Sequence, residues 1–366
     1  MVPLISAVRR RGAEVLVIGP PSLRDTVESA GFDFLRGEEP DEPSVAPIRN
    51  RLPTSPAHEA SVLANRELFG HLATSAMLPE MERAFESWKP DLVLREPCEY
   101  ASAVVALQAS TPIAQVAISL AQVENESIGV TEPALEEHRT GLTEEVRAMR
   151  YLSRFPPSLD PSPFPLTIRY REVSPRSPVP LADWWNGSAQ PLVYVTFGTV
   201  LGHMSDAVKV YRTALRAVAD LDVRVLLTTG RKLDLAELGP IPHNVHVESF
   251  VEQDDVLGQA RLVVCHAGSG TTLGALSSGV PIVAVPLFAD QFANAKQLVA
   301  VGAAIVAHPL DERFLIGDES IQPLRDAIVL ALEESSYRAA ARKIAKEVAD
   351  ALSADEIVDT LIAGAD

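Results

Sequence analysis

The residues best suited to chemistry stand in one run, Val263-Val264-Cys265-His266-Ala267-Gly268-Ser269-Gly270-Thr271-Thr272-Leu273-Gly274. Leu262 to Cys265 reads as an apolar strand entering a turn of small residues, with a helix opening near Ser269 to Thr271. The free N–H groups and partial positive charge of a helix start suit a phosphate or diphosphate. Gly268 and Gly270 let a ligand approach the backbone, and Ser269 and Thr271 add hydroxyl donors. His266, at the strand end, is placed to donate to a phosphate oxygen or to brace the turn. The same pattern also describes an ordinary strand-turn-helix whose glycines serve packing. Two sharper nucleotide motifs fail on spacing. A P-loop needs a Lys after its last Gly, and none follows here. A dinucleotide fingerprint is G-x-G-x-x-G, whereas Gly268-x-Gly270-x-x-x-Gly274 is one residue too long.

Asp290 lies twenty residues beyond Gly270, about the distance at which a carboxylate holds the ribose of NAD. It does not end the next strand, however. That strand, Pro281 to Val285, stops at Pro286, and Asp290-Gln291 follow in a loop. The whole pattern is therefore H-x-G-S-G-T-T, strand, P-x-x-x-D-Q.

This combination resembles the nucleotide-sugar-dependent glycosyltransferases of the GT-B fold, in the bacterial branch that glycosylates macrolides, enediynes and similar aglycones. Trp184-Trp185 followed by Pro191-Leu192-Val193-Tyr194-Val195-Thr196-Phe197-Gly198-Thr199 is similar to the opening of that family's C-terminal domain. Val245-His246-Val247-Glu248-Ser249-Phe250-Val251-Glu252-Gln253 is similar to its base-binding segment. Gly279-Val280-Pro281 and Asp290-Gln291 complete the set in order.

The elements that must carry these residues follow from composition and period. The chain has 366 residues, too many for one ordinary core, so two domains are expected. With 47% apolar and 22% charged residues it reads as a globular protein. A net charge of −17 argues against a nucleic-acid backbone or an anionic membrane surface as partner. No apolar run approaches 18 residues, so no membrane span is expected. The two cysteines, Cys98 and Cys265, lie in apolar, strand-like surroundings and read as buried free thiols of a reducing cytoplasm.

From Ala13 onward strands alternate with helices, the pattern of doubly wound parallel sheets. Strands are expected near 15–18, 92–94 and 113–118, and again near 192–197, 223–228, 245–247, 262–265 and 281–285. Residues 37–56 read as a loop, helices are expected over 57–88, and 120–150 show no clear strand. The expected fold is α/β, two Rossmann-like domains facing across a cleft. Residues 1–160 form the acceptor domain, 161–190 a proline-rich linker and 191–350 the nucleotide-sugar domain. Residues 351–366 form a helix that the resemblance returns to the first domain. Val2 to Arg11 reads as an amphipathic helix, so the chain opens in the middle of a βα unit. In the family a strand and a turn carrying the catalytic histidine precede the matching segment. About 15 further residues are therefore expected before Met1. A native start at Met1 is the rival expectation.

The resemblance implies a division of labour. Gly198 and Thr199 follow the second domain's first strand, where Thr199 meets a phosphate. Gly268, Ser269, Gly270 and Thr271 offer donors to the diphosphate beside His266. Asp290 and Gln291 hold the sugar hydroxyls. Val251 meets the base through its backbone, with Phe250 and Gln253 nearby. Glu96 matches the carboxylate that orients the catalytic histidine. In plant-type relatives an acidic residue eight positions after the motif histidine holds the ribose diol. Here that position is Gly274, which suits a dTDP-sugar better than a UDP-sugar.

The implied reaction is inverting displacement at the anomeric carbon, with fixed donors and a helix dipole stabilising the leaving diphosphate instead of a metal. Asp220-Leu221-Asp222 reads as a solvated turn and not as a metal site. No cofactor is expected beyond the nucleotide sugar as co-substrate, and the acceptor is expected to be an apolar, hydroxyl-bearing aglycone. His58, His71 and His138 are the fallback bases, while His243, His246 and His308 show no partner pattern. Residues 40–80 and 119–150 read as irregular acceptor-facing segments. The alternatives are a nucleotide-sugar-binding GT-B protein without transferase activity, and a GT-B epimerase or cell-wall transferase. The oligomeric state is left open, a homodimer included.

Overall fold

In a computed structural model the chain is described over residues 1–52, 54–173, 176–199, 201–203, 207–308 and 317–363. It divides into two compact units, one of Met1–Arg154, Pro161–Val173 and Ala351–Asp366, the other of Phe155–Asp160 and Ser174–Asp350. In the first unit β1 (Leu16–Gly19) pairs in parallel with β2 (Asp33–Arg36) as a ladder of its own. A second parallel ladder runs β3 (Val93–Arg95), β4 (Ile113–Val116), β5 (Arg150–Ser153) and β6 (Leu166–Arg171).

The second unit is a six-stranded parallel sheet of β7 (Leu192–Thr196), β8 (Arg224–Thr228), β9 (Val245–Glu248), β10 (Ala260–Cys265), β11 (Ile282–Ala284) and β12 (Ala304–Val306). Its spatial order is β12-β11-β10-β7-β8-β9. The chain winds one way from β7 and the other way from β10, so these two neighbours flank a topological switch point. Ligands of such sheets bind at the carboxyl ends of the strands there. Every residue of β7 is buried, as a parallel sheet covered on both faces requires. The crossover helix Ala207–Val218 packs its Val210, Tyr211, Ala214 and Val218 against this sheet.

After the second unit the chain returns. β13 (Leu352–Ser353) adds to β6, giving the order β13-β6-β5-β4-β3. Helix Ala354–Ala363 then buries Ile357, Val358 and Leu361 with Leu4 and Ala7 of helix Val2–Arg10. Arg10 and Arg11 reach Asp355 and Asp359 at 2.7 and 2.8 Å. Exposed ion pairs of this kind contribute little, so the apolar contact holds the helix.

Several expectations are corrected. Residues 166–171 are strand β6 and not linker, because the prolines of that stretch flank the strand and leave its N–H groups free to pair. Glu42–Arg51, inside the expected loop, is a helix with Pro43 in its first turn, where a missing N–H costs nothing. Residues 119–150 are not irregular, since they form helices Ala121–His138 and Leu142–Ala148. The buried stripe of the longer one runs Ala121, Glu124, Ile128, Thr131, Leu135. Two polar residues in that stripe hid its 3.6-residue period. The helices expected over 57–88 are present, a π-helix, Val62–Ala73, running into helix Thr74–Trp88, so residues 40–80 are not irregular as a whole. Cys265 is buried, but Cys98 is only half-buried, in the turn after β3.

Candidate functional site

The switch point of the second unit gathers the chemistry. β7 ends at Thr196, and Gly198 follows with φ 75°. β10 ends at Cys265, followed by His266, then by Ala267 at φ 62°, and helix Ser269–Ser277 begins with Gly268 as N-cap. The left-handed Ala267, unusual for a residue with a side chain, lies where the backbone turns toward the ligand position. Space around His266 explains two glycines. A Cβ at Gly198 would come within 2.9 Å of the ring, and one at Gly268 within 2.3 Å of its Nε2. The imidazole is thus gripped between the ends of β7 and β10. Gly270 is exposed with nothing within 4 Å of a Cβ, so its site is open to a ligand.

Burial pushes the His266 imidazole down to about 4, although the Asp290 carboxylate and a hydrogen bond to the Thr196 backbone both work the other way. It is therefore neutral at pH 7, and its one N–H is the donor to the Thr196 backbone. Its pKa lies below the unfolded value, so its contribution to stability is present above pH 6.5 and is lost as pH falls toward 4. Over that window the native protein should lose stability more steeply than His266→Asn, read by thermal unfolding at stepped pH. Coincident profiles would refute the assignment.

Asp290 and Ser269 meet directly, the hydroxyl donating to Asp290 Oδ2 at 2.9 Å. Gln291 is 3% exposed, and its Oε1 accepts the backbone N–H groups of Leu287 and Phe288 at 2.8 and 3.0 Å. Its oxygen braces the loop, which leaves the amide nitrogen as the part of Gln291 available for a sugar. Sequence reasoning missed Asn294. It is buried, and its Nδ2 donates to the Ala267 carbonyl and lies within bonding distance of Ser269 Oγ and Asp290 Oδ2. The available signal was its place one helical turn beyond Asp290.

At the end of β9, Phe250 is 43% exposed and carries the Arg231 guanidinium 4.8 Å above its ring. The guanidinium covers one face of the ring, a cation–π contact at the surface. Val251 is half-buried beside it. Gln253 opens the next short helix and donates from Nε2 to Thr271 Oγ1 at 3.0 Å. Its Oε1 lies 3.1 Å from where a Gly274 Cβ would be. Thr199 is exposed after Gly198. Below the switch point Tyr194, Thr228 and Thr196 share a buried chain of hydroxyl hydrogen bonds that ties β7 to β8.

The first unit holds the remaining candidates. Glu96 follows β3, and its Oε2 accepts the Cys98 N–H at 2.8 Å. Burial raises its pKa against that hydrogen bond. A larger network beneath it was not foreseen. Arg95, 2% exposed, donates to the Glu99 and Pro97 carbonyls and to Gln115 Oε1. Gln115 in turn donates to Glu124 at 2.9 Å, and Glu124 also accepts the backbone N–H groups of Ile118 and Ser119. Burial lifts the Glu124 carboxyl to about 7, against the hydrogen bonds from Ser119, Ile118 and Gln115 through which it fixes the turn after β4.

Of the fallback bases, His58 and His71 are exposed, with His71 3.6 Å from Glu137, and His138 contacts the Gly70 carbonyl at 3.3 Å. His246 does have partners, stacking on Trp184 at 4.1 Å and bonding Glu248 at 2.8 Å. Asp222 is held by Gln190, and Asp220 sits in a left-handed turn, as solvated turn residues do.

Residues 6–198 and 212–363 match the N-terminal and C-terminal domains of the family described as erythromycin biosynthesis protein CIII-like. L-demethylnoviosyl transferase of Streptomyces niveus is 30% identical over 356 residues, covering 95% of this chain and 89% of that one. The chain belongs to this family and is a glycosyltransferase. The elloramycin glycosyltransferase ElmGT of Streptomyces olivaceus is 30% identical over 363 residues, with 95% and 89% covered. The crystal structure of glycosyltransferase SsfS6 from Streptomyces sp. SF2575, complexed with thymidine diphosphate, superposes with a TM-score of 0.72 at 26% identity, covering 98% and 94%. The glycosyltransferase therefore has the GT-B fold, and its relatives are the antibiotic enzymes that the sequence motifs resembled. No helix among the described residues is long and apolar enough to cross a membrane.

Proposed function

We propose that this glycosyltransferase moves a sugar from a nucleoside diphosphate sugar, a dTDP-sugar in preference to a UDP-sugar, to a hydroxyl of an apolar natural-product aglycone, with inversion. One observation carries the donor preference. Gly274 presents no carboxylate on helix Ser269–Ser277, and a Cβ there would already stand 3.1 Å from both Gln253 Oε1 and Leu257 Cδ1. A ribose 2′-hydroxyl would gain no charged acceptor there, whereas a deoxyribose loses nothing. The thymidine diphosphate bound by the similar SsfS6 supports the same choice.

The acceptor oxygen attacks the anomeric carbon while the bond from that carbon to the diphosphate oxygen breaks. The acceptor proton passes to a general base, and Glu96 is the carboxylate assigned to orient that base. Charge developing on the leaving diphosphate meets the N–H groups opening helix Ser269–Ser277 and the Ser269 and Thr271 hydroxyls, on a turn that neutral His266 braces against the end of β7. These fixed donors take the place of a metal ion, and Asp290 holds the sugar hydroxyls. Calorimetric titration with dTDP, UDP and NAD tests the reading. The expected order is dTDP tightest, UDP weaker and NAD not bound. UDP binding as tight as dTDP would remove the preference, and binding of NAD alone would remove the donor site.

A further inference from the structure

Asn294 stands on helix Gln291–Ala300, one turn beyond Asp290, and is 2% exposed. Its Nδ2 faces three acceptors from two separate segments. These are the Ala267 carbonyl at 2.9 Å, Asp290 Oδ2 at 3.1 Å and Ser269 Oγ at 3.2 Å. A backbone carbonyl can only accept, so chemistry fixes the amide with its nitrogen on this side. Its Oδ1 is then left buried without a partner. A buried unsatisfied amide oxygen is costly, and its retention calls for a reason beyond packing. Both segments that the amide joins carry a left-handed alanine, Ala267 at φ 62° and Ala289 at φ 55°. Such backbone persists only where the surroundings hold it in place.

We infer that Asn294 is a positioning residue that locks the diphosphate-binding turn to the sugar-binding carboxylate, so that both halves of the donor meet one fixed geometry. The inference rests on the donor-site reading of residues 266–271 and Asp290. Ser269 couples the halves further, because its proton is given to Asp290. When that proton turns to a phosphate oxygen, Oδ2 is released toward a sugar hydroxyl, while the Asn294 amide keeps the carboxylate in place.

The test uses dTDP and dTDP-glucose on the full chain, titrated by calorimetry. The quantity read is the gain in affinity that glucose adds over dTDP alone. Asn294→Ala, and the isosteric Asn294→Asp that turns the donor into an acceptor, should each shrink that gain by about tenfold. Asp290→Ala should abolish it, and adding either Asn294 change should then do nothing more to it. A merely structural role would weaken both ligands alike and leave the gain intact in the Asn294 variants. That result, or additive losses in the double variants, overturns the inference alone. A native protein that binds neither ligand, or gains nothing from the sugar, overturns the donor-site reading and this inference with it. Melting temperatures of all variants separate misfolding from misplacement.

Discussion

Asp290→Ala should lower kcat/KM with a dTDP-sugar by about 10²–10³-fold, yet leave the Kd for dTDP within about threefold. His266→Ala should do the reverse at the nucleotide, weakening dTDP by about tenfold or more. The asymmetry follows from where the groups stand. His266 is wedged between Gly198 and Gly268, at the carboxyl ends of the strands flanking the switch point, where we propose that the diphosphate meets the helix N-terminus. Asp290 belongs to the loop after β11, where its Oδ2 accepts the Ser269 hydroxyl. On the proposed function, removing it takes away a sugar contact but leaves every backbone donor of the turn before helix Ser269–Ser277. Steady-state kinetics and calorimetry on the two variants read the split. Equal effects on dTDP would mean that the diphosphate and sugar places have been assigned wrongly.

Gly268→Ala should be the most damaging one-carbon change in the site, abolishing dTDP binding to within detection, a loss of about 100-fold or more. The backbone conformation of Gly268, φ −64° and ψ 144°, is open to any residue, so the penalty is purely steric. The added methyl would stand 2.3 Å from His266 Nε2, on a ring that a Cβ at Gly198 would also meet at 2.9 Å. The imidazole must leave, and the turn must move with it. A second change tests this cause. In His266→Ala with Gly268→Ala the clash is gone, so the melting temperature should return to that of His266→Ala, with dTDP binding at the same weakened level. Gly270→Ala, with open space around its Cβ position, is the control and should leave the melting temperature unchanged. A Gly268→Ala protein that binds dTDP normally would show that the ring is not held where the structure places it.

Sequence alone determined what depends on near neighbours. The strand from Leu262 to Cys265, the turn after it, the helix start near Ser269 and the alternation that makes the fold α/β all rest on local period and turn chemistry. These act over a few residues and can be read along the chain. The motif pattern also led to the GT-B glycosyltransferases, a family the chain belongs to. Tertiary structure decided which side chains meet. Nothing local says that Asn294 faces the Ala267 carbonyl, that the Gln291 oxygen is spent on its own loop, or that Arg231 lies over Phe250. Those pairings depend on β10 lying beside β11 and β8 beside β9, and on how the helix after β11 packs. The polar stripe residues Glu124 and Thr131 made helix Ala121–His138 illegible for the same reason. Their burial is repaid by hydrogen bonds to Ile118, Ser119 and Ser127, and such partners become visible only once the chain is folded. Hydrophobic period is a property of the chain, whereas the satisfaction of buried polar groups is a property of the fold.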